Sequence, residues 1–203
     1  MSKTSRLGLG ALGALVIAVA LVACGNNDGN SQDEDDITAA MEFAATSGDP
    51  AACTEAETQA FSEQNAGGAT GEAAVKQCEA EAADTPADSI EVSNVEVDGD
   101  AATADGAVTG SIFDGQTLSV ALVKENDKWK IDQLTGFAEF DRDAFTAAFA
   151  KELASDPETP PKAADCVEQK FAQLSDQEVQ DFFVGKAEQQ AEKEIFGPCF
   201  GAE

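Results

Sequence analysis

The 203-residue chain has no histidine and no tyrosine, a single tryptophan and few cations: 12 Lys and Arg stand against 39 Asp and Glu, a formal charge of −27. Each shortage excludes something. Without histidine there is no ordinary neutral-pH proton shuttle, no Ser-His-Asp triad and no histidine-bearing zinc site. A general base would have to be a carboxylate or a lysine whose pKa the fold moves toward neutrality. The scarcity of cations removes counterion release, the main source of affinity for phosphate backbones, so nucleic acid is excluded as a partner. No metal or cofactor is expected.

What is present begins with an uncharged run. Lys3 and Arg6 form a short positive head, and residues 7 to 23 then carry only Leu, Gly, Ala, Val and Ile, ending on Cys24. A membrane-spanning helix needs roughly 20 apolar residues; this run is shorter, glycine-interrupted and followed at once by polar sequence. It reads as a secretory signal over residues 1–23. The last four residues, Leu21-Val22-Ala23-Cys24, resemble the lipobox of bacterial lipoproteins. That resemblance implies a diacylglyceryl group on the Cys24 sulfur and cleavage just before it, hence palmitate-type chains and attachment to the outer face of the cell membrane. Stable attachment needs more than one acyl chain, since a single chain binds only marginally.

All 39 acidic residues lie after Cys24 but only ten of the twelve basic ones, so the exported part carries 10 − 39 = −29. Such a charge keeps the surface solvated; it also suits a cationic partner or a saline habitat. Residues 25–35, GNNDGNSQDED, hold nothing apolar and are expected to form a flexible tether. Four cysteines remain: Cys53, Cys78, Cys166 and Cys199. In an exported protein an even count reads as disulfides. Of three connectivities the sequence-local one is preferred, Cys53–Cys78 and Cys166–Cys199, because each pair then lies inside one candidate module.

From Asp36 the pattern becomes helical, with Ile37, Ala40, Met41 and Ala44 on one face and a stop at Gly48-Asp49-Pro50. A second helix is expected over 53–62 and a third over 72–82. After Pro86 the period switches to two. Four strands are expected, with turns at Asp98-Gly99 and Glu125-Asn126-Asp127 and a bulge near Ser93-Asn94, where the valine parity flips. The segment from Asn94 to Asp105 also matches a calcium-loop spacing, but its alternating valines favour a hairpin.

Helices followed by an antiparallel meander resemble the NTF2-like, or SnoaL-like, cone fold, in the form found in actinobacterial lipoproteins. The stretches that carry the likeness are MEFAATSGDPAAC, VEVDGDAATADGAV and LVKENDKWKIDQL, within residues 36–136. The resemblance implies an α+β cone enclosing a pocket between helices and a curved four-stranded sheet. Its enzymatic relatives, isomerases and dehydratases, use Asp, Tyr or His there. With the last two absent, catalysis is not expected; a carboxylate-base enzyme using Asp105 or Asp132 is the alternative. Trp129 is weighed as a stacking platform against an ordinary core position, and the core is favoured.

Residues 137–203 read as a helical module clasped by Cys166–Cys199. Phe145, Phe149 and Leu153 form one stripe, Val167, Phe171 and Leu174 another, and PETPP at 157–161 separates them. Ser175 and Glu178 form a capping box for a long helix carrying Val179, Phe182, Phe183, Ala187, Ala191 and Ile195, expected to stop at Gly197-Pro198. Nine of twelve phenylalanines lie beyond residue 136. Most suit a core; Phe182 and Phe183 are candidates for docking a partner or lipid tail. The whole reads as a membrane-anchored extracytoplasmic module that binds an envelope protein or an apolar small molecule.

Overall fold

The computed structural model describes residues 27–84, 86–157, 159–185 and 189–201. The signal segment and Cys24 lie outside them. The fold is α+β: four helices, a four-stranded antiparallel meander, then four more helices among the described residues.

Helix α1 spans Asn27–Thr46, nine residues earlier than the sequence places it. From Asn27 onward the tether expected over 25–35 is corrected to helix, and Asp36 lies well inside it. The reason is tertiary: Asp33 accepts hydrogen bonds from Lys124 Nζ (2.7 Å) and Trp129 Nε1 (2.9 Å). Gly48, with φ +61°, ends the segment.

The helix expected over 53–62 is two short ones, α2 (Ala52–Glu55) and α3 (Gln59–Asn65). Between them the backbone leaves helical geometry to pair with a strand: Glu57 bridges Ile131, Thr58 N donates to Ile131 O (2.9 Å) and Ile131 N to Ala56 O (2.8 Å). Helix α4 spans Glu72–Glu81, and the Cys53–Cys78 disulfide ties it to α2.

The sheet runs β1 (Ser89–Asp98), β2 (Ala101–Thr109), β3 (Thr117–Glu125) and β4 (Lys128–Glu139), paired in that order. The first turn is Gly99-Asp100, one residue later than expected; the other is Asn126-Asp127, both with positive φ. A bulge interrupts β1 between Ser93 and Glu96, with Asn94 at φ +51°. It brings Ile90, Val92, Val95 and Val97 all against the same core despite their opposite parity. The stretch with calcium-loop spacing is this hairpin, and Asn94 Nδ2 donates to Asp105 Oδ2 (2.9 Å). Helix α1 crosses one face over β1 and β4, and α3 packs on β4. Gly106 permits the close fit: a Cβ there would meet Ile90 Cδ1 at 2.5 Å and Met41 Cε at 3.1 Å.

Strand β4 runs past the boundary expected at 136, and Asp141 then caps α5 (Arg142–Ser155) by accepting from Ala144 N. Helices α6 (Ala163–Phe171) and α7 (Asp176–Phe183) follow, the latter opened by the complete Ser175/Glu178 capping box. The long final helix is corrected to two. Val184 and Gly185 (φ +68°) close α7, α8 spans Gln189–Phe200, and Ala187 lies outside the described residues. Pro198 sits within α8 instead of stopping it; the Cys166–Cys199 disulfide holds that last turn against α6. No helix among the described residues is long and apolar enough to cross a membrane.

Two apolar clusters result. Ile37, Met41, Val120, Leu122, Trp129 and Ile131 anchor the first, between α1 and the sheet. Phe145, Val167, Phe171 and Val179 centre the second, which draws in rings from both the helices and the end of the sheet.

Candidate functional site

The backbone bridge between Glu57 and Ile131 breaks the stretch expected as one helix over 53–62 and leaves an acidic side chain buried there. Glu57 is only 9% exposed. It lies at the junction of two cavities that also share Ala44, Ala45, Phe61 and Asn65. The inner cavity, about 260 Å³, lies between α1, α3 and the sheet, walled by such residues as Met41, Ile90, Val108, Leu118 and Leu134. The outer one, about 210 Å³, is more polar and is bordered by Ser62, Gln77, Cys78 and Glu81. Together they have the apolar body and few polar groups of a small-molecule site, at the small end of the usual range of about 300 Å³ upward.

Burial pushes the Glu57 carboxyl up from 4.5 to about 7, because the charged form is poorly solvated there. The nearest polar contact is Cys78 Sγ, 3.3 Å from Oε2. That sulfur is bonded to Cys53 and carries no hydrogen, so it cannot stabilise the anion by donating. Among the described residues no N–H or O–H donates to this carboxylate. Cys53, Glu57 and Cys78 place their ligand atoms within 4.8 Å of one another, but with the sulfurs joined there is no thiolate to hold a metal.

The polar groups around Glu57 make hydrogen bonds to other parts of the protein. Ser62 Oγ donates to Thr58 O (3.4 Å), Asn65 Nδ2 to Phe61 O (2.9 Å) and Gln77 Nε2 to Glu81 Oε1 (3.1 Å). Ser62 thus has its single donor engaged, while Asn65 and Gln77 each use one of two amide N–H groups, none of these bonds going to Glu57.

The residues singled out from sequence fall elsewhere. Trp129 is 3% exposed, a core residue whose indole N–H is taken by Asp33, and it borders neither cavity. Phe183 packs edge-on against Phe145 at 4.7 Å and near Phe113, Phe149 and Phe171; Phe182 meets Phe196 at 5.4 Å. Both are half-buried in the second cluster, and the large apolar side chain left exposed among the described residues is Phe200. Asp105 accepts from Ser119 Oγ (2.6 Å) and Asn94, and Asp132 from Thr58 Oγ1 (2.9 Å); neither lines a cavity. The pairs Cys53–Cys78 and Cys166–Cys199 are both bonded, with Cα separations of 6.0 and 5.5 Å. Glu57 was missed because its departure from the helix depends on a strand some 70 residues away.

These features define an α+β protein with a cavity between helices and sheet and one buried carboxyl at its waist. No family model matches the chain, and no curated protein or solved structure matches it.

Proposed function

We propose that this chain is a lipid-anchored extracytoplasmic binding protein of NTF2-like type, whose cavity takes a small, mainly apolar molecule of the cell envelope. The observation that carries the reading is the 260 Å³ apolar chamber against the sheet, with a buried carboxyl in its wall. The lipobox-like Leu21-Val22-Ala23-Cys24 and two disulfides support the location, since disulfides persist in oxidising compartments. The order of helices and meander supports the fold type.

The test is native mass spectrometry of the protein after exposure to envelope lipid extract. One adduct of defined mass per chain is expected, and it should disappear when Leu118→Trp fills the chamber. A spectrum free of adducts overturns the reading. Phase partition of the native protein, with recovery in the detergent phase, tests the anchor at Cys24.

Glu57 favours a second reading, an enzyme with a carboxylate base, because a carboxyl poised near neutrality in a cavity is suited to proton transfer. The two readings separate on the recovered ligand. A binding protein returns it unchanged; an enzyme returns an altered mass or isomer.

A further inference from the structure

We infer that the junction at Glu57 binds a small organic ammonium ion, with its N–H groups on the carboxylate and its apolar body in the inner chamber. This inference rests on the binding reading above and gives it a ligand class.

Three observations converge. The Glu57 carboxylate has no N–H or O–H donor among the described residues, although it is buried, so its anionic form lacks a partner that an ammonium would supply. Ser62 has its single donor engaged elsewhere, and the amide N–H bonds that Asn65 and Gln77 make go to Phe61 O and Glu81 Oε1 rather than to Glu57. An ammonium carries donors and no acceptor, which suits a carboxylate that receives no other donor. Among the described residues no cation lines either cavity: the other titratable lining residue is Glu81 on α4, while α1 and the strands contribute uncharged residues.

Cations on neighbouring elements are engaged as well. Lys76 pairs with Glu72, Lys124 with Asp33, Lys128 with Glu55, and Lys130 with Glu125 and Thr54 O. The remaining acid packed nearby, Asp132 on β4, accepts from Thr58 Oγ1 and lines neither cavity. At long range a formal charge of −27 draws cations toward the molecule. The site is also stiff. The bridge to Ile131 fixes the Glu57 backbone and the Cys53–Cys78 bond fixes the helices beside it, so little ordering entropy is lost on binding.

Binding of an ammonium would ionise Glu57 and release its proton, whereas a neutral ligand accepting from the protonated acid would bind better at low pH. The experiment is titration calorimetry of the native protein with 2-phenylethylamine, 2-phenylethanol and 3-phenylpropionate. It is run at about pH 6 and pH 8 in about 0.3 M salt, which screens the long-range field. The amine is expected to bind roughly tenfold more tightly at pH 8 than at pH 6, with proton release seen as a dependence on buffer ionisation enthalpy. The alcohol should show no such gain, and the acid should not bind. Glu57→Gln should abolish the pH dependence and bring the amine down to the level of the alcohol. Glu81→Gln, at the rim, provides a second variant and should weaken the amine twofold to threefold.

Equal binding of amine and alcohol at pH 8, or a preference for amine that survives Glu57→Gln, overturns the inference. If the probes fail but the lipid-extract adduct forms, the ligand class is wrong and the binding reading stands. If nothing binds in either experiment, both fall.

Discussion

Glu57 shows how one side chain can make stability depend on pH. Burial raises its carboxyl from 4.5 to about 7. Below about pH 4.5 both folded and unfolded chains hold the proton, and the group has no effect on their balance. Between about pH 4.5 and 7 the unfolded chain loses the proton and the folded chain keeps it, so stability falls as pH rises. By pH 8 the loss amounts to about 3 kcal/mol. The Glu57→Gln variant lacks this dependence. Urea midpoints at about pH 4.5 and 8 should show it gaining roughly 3 kcal/mol on the parent over that interval; a constant difference would mean the native carboxyl is already ionised. In the sequence this residue sits in CTEAETQAF, inside the stretch expected to form one helix over 53–62. Local pattern carries no sign of the partner Ile131. The missing histidine, by contrast, was legible at once, and it is why a carboxyl is the group to examine.

At the scale of elements, the strands were the readable part because their determinants are local. The Asn126-Asp127 turn, the valine parity flip and the alternation of Leu118, Val120 and Leu122 each lie within a few residues of what they specify. Helix ends were less readable, because contacts from distant segments set them. Helix α1 reaches back to Asn27 past a polar run because Asp33 meets Lys124 and Trp129 across the domain. Its carboxyl is held below the usual range, first by the hydrogen bond from Lys124 and then by that from Trp129. The contribution is therefore present above the unfolded pKa and lost as pH falls through the folded one. Asp33→Ala leaves the buried indole N–H and the ammonium without this acceptor, at a cost of about 1–3 kcal/mol. Hydrogen exchange should then accelerate over residues 27–36 while the end near Thr46 stays protected. Unchanged exchange at the start of α1 would show that the helix stands there without its tertiary partners.

For the molecule as a whole, the question is whether the sheet with its cavity and the helices after β4 unfold together. Several contacts join them. Phe113 and Phe137, from the sheet side, lie 6.2 Å apart and both reach Phe145 of α5. Gln116, almost fully buried, accepts from Asp141 N (2.9 Å) and donates to Asp141 O (3.1 Å), fixing the start of α5 to β3. Gln64 accepts from Leu134 N and donates to Leu134 O and Val184 O, so α3, β4 and the end of α7 share one side chain. Buried amides that satisfy backbone groups on two elements are costly to separate, since each break leaves unpaired donors and acceptors. The expected outcome is one cooperative transition, and Trp129 makes it observable. It is the single tryptophan, it belongs to the first apolar cluster, and Phe145 belongs to the second. Phe145→Ala removes a fully buried ring and should cost about 3–5 kcal/mol, lowering the melting temperature by roughly 10 °C. If the clusters are coupled, Trp129 fluorescence and far-ultraviolet circular dichroism will shift together by that amount. If the dichroism moves while the Trp129 transition stays at its parent temperature, the cavity-bearing sheet is an independent unit and the helices are an appendage to it.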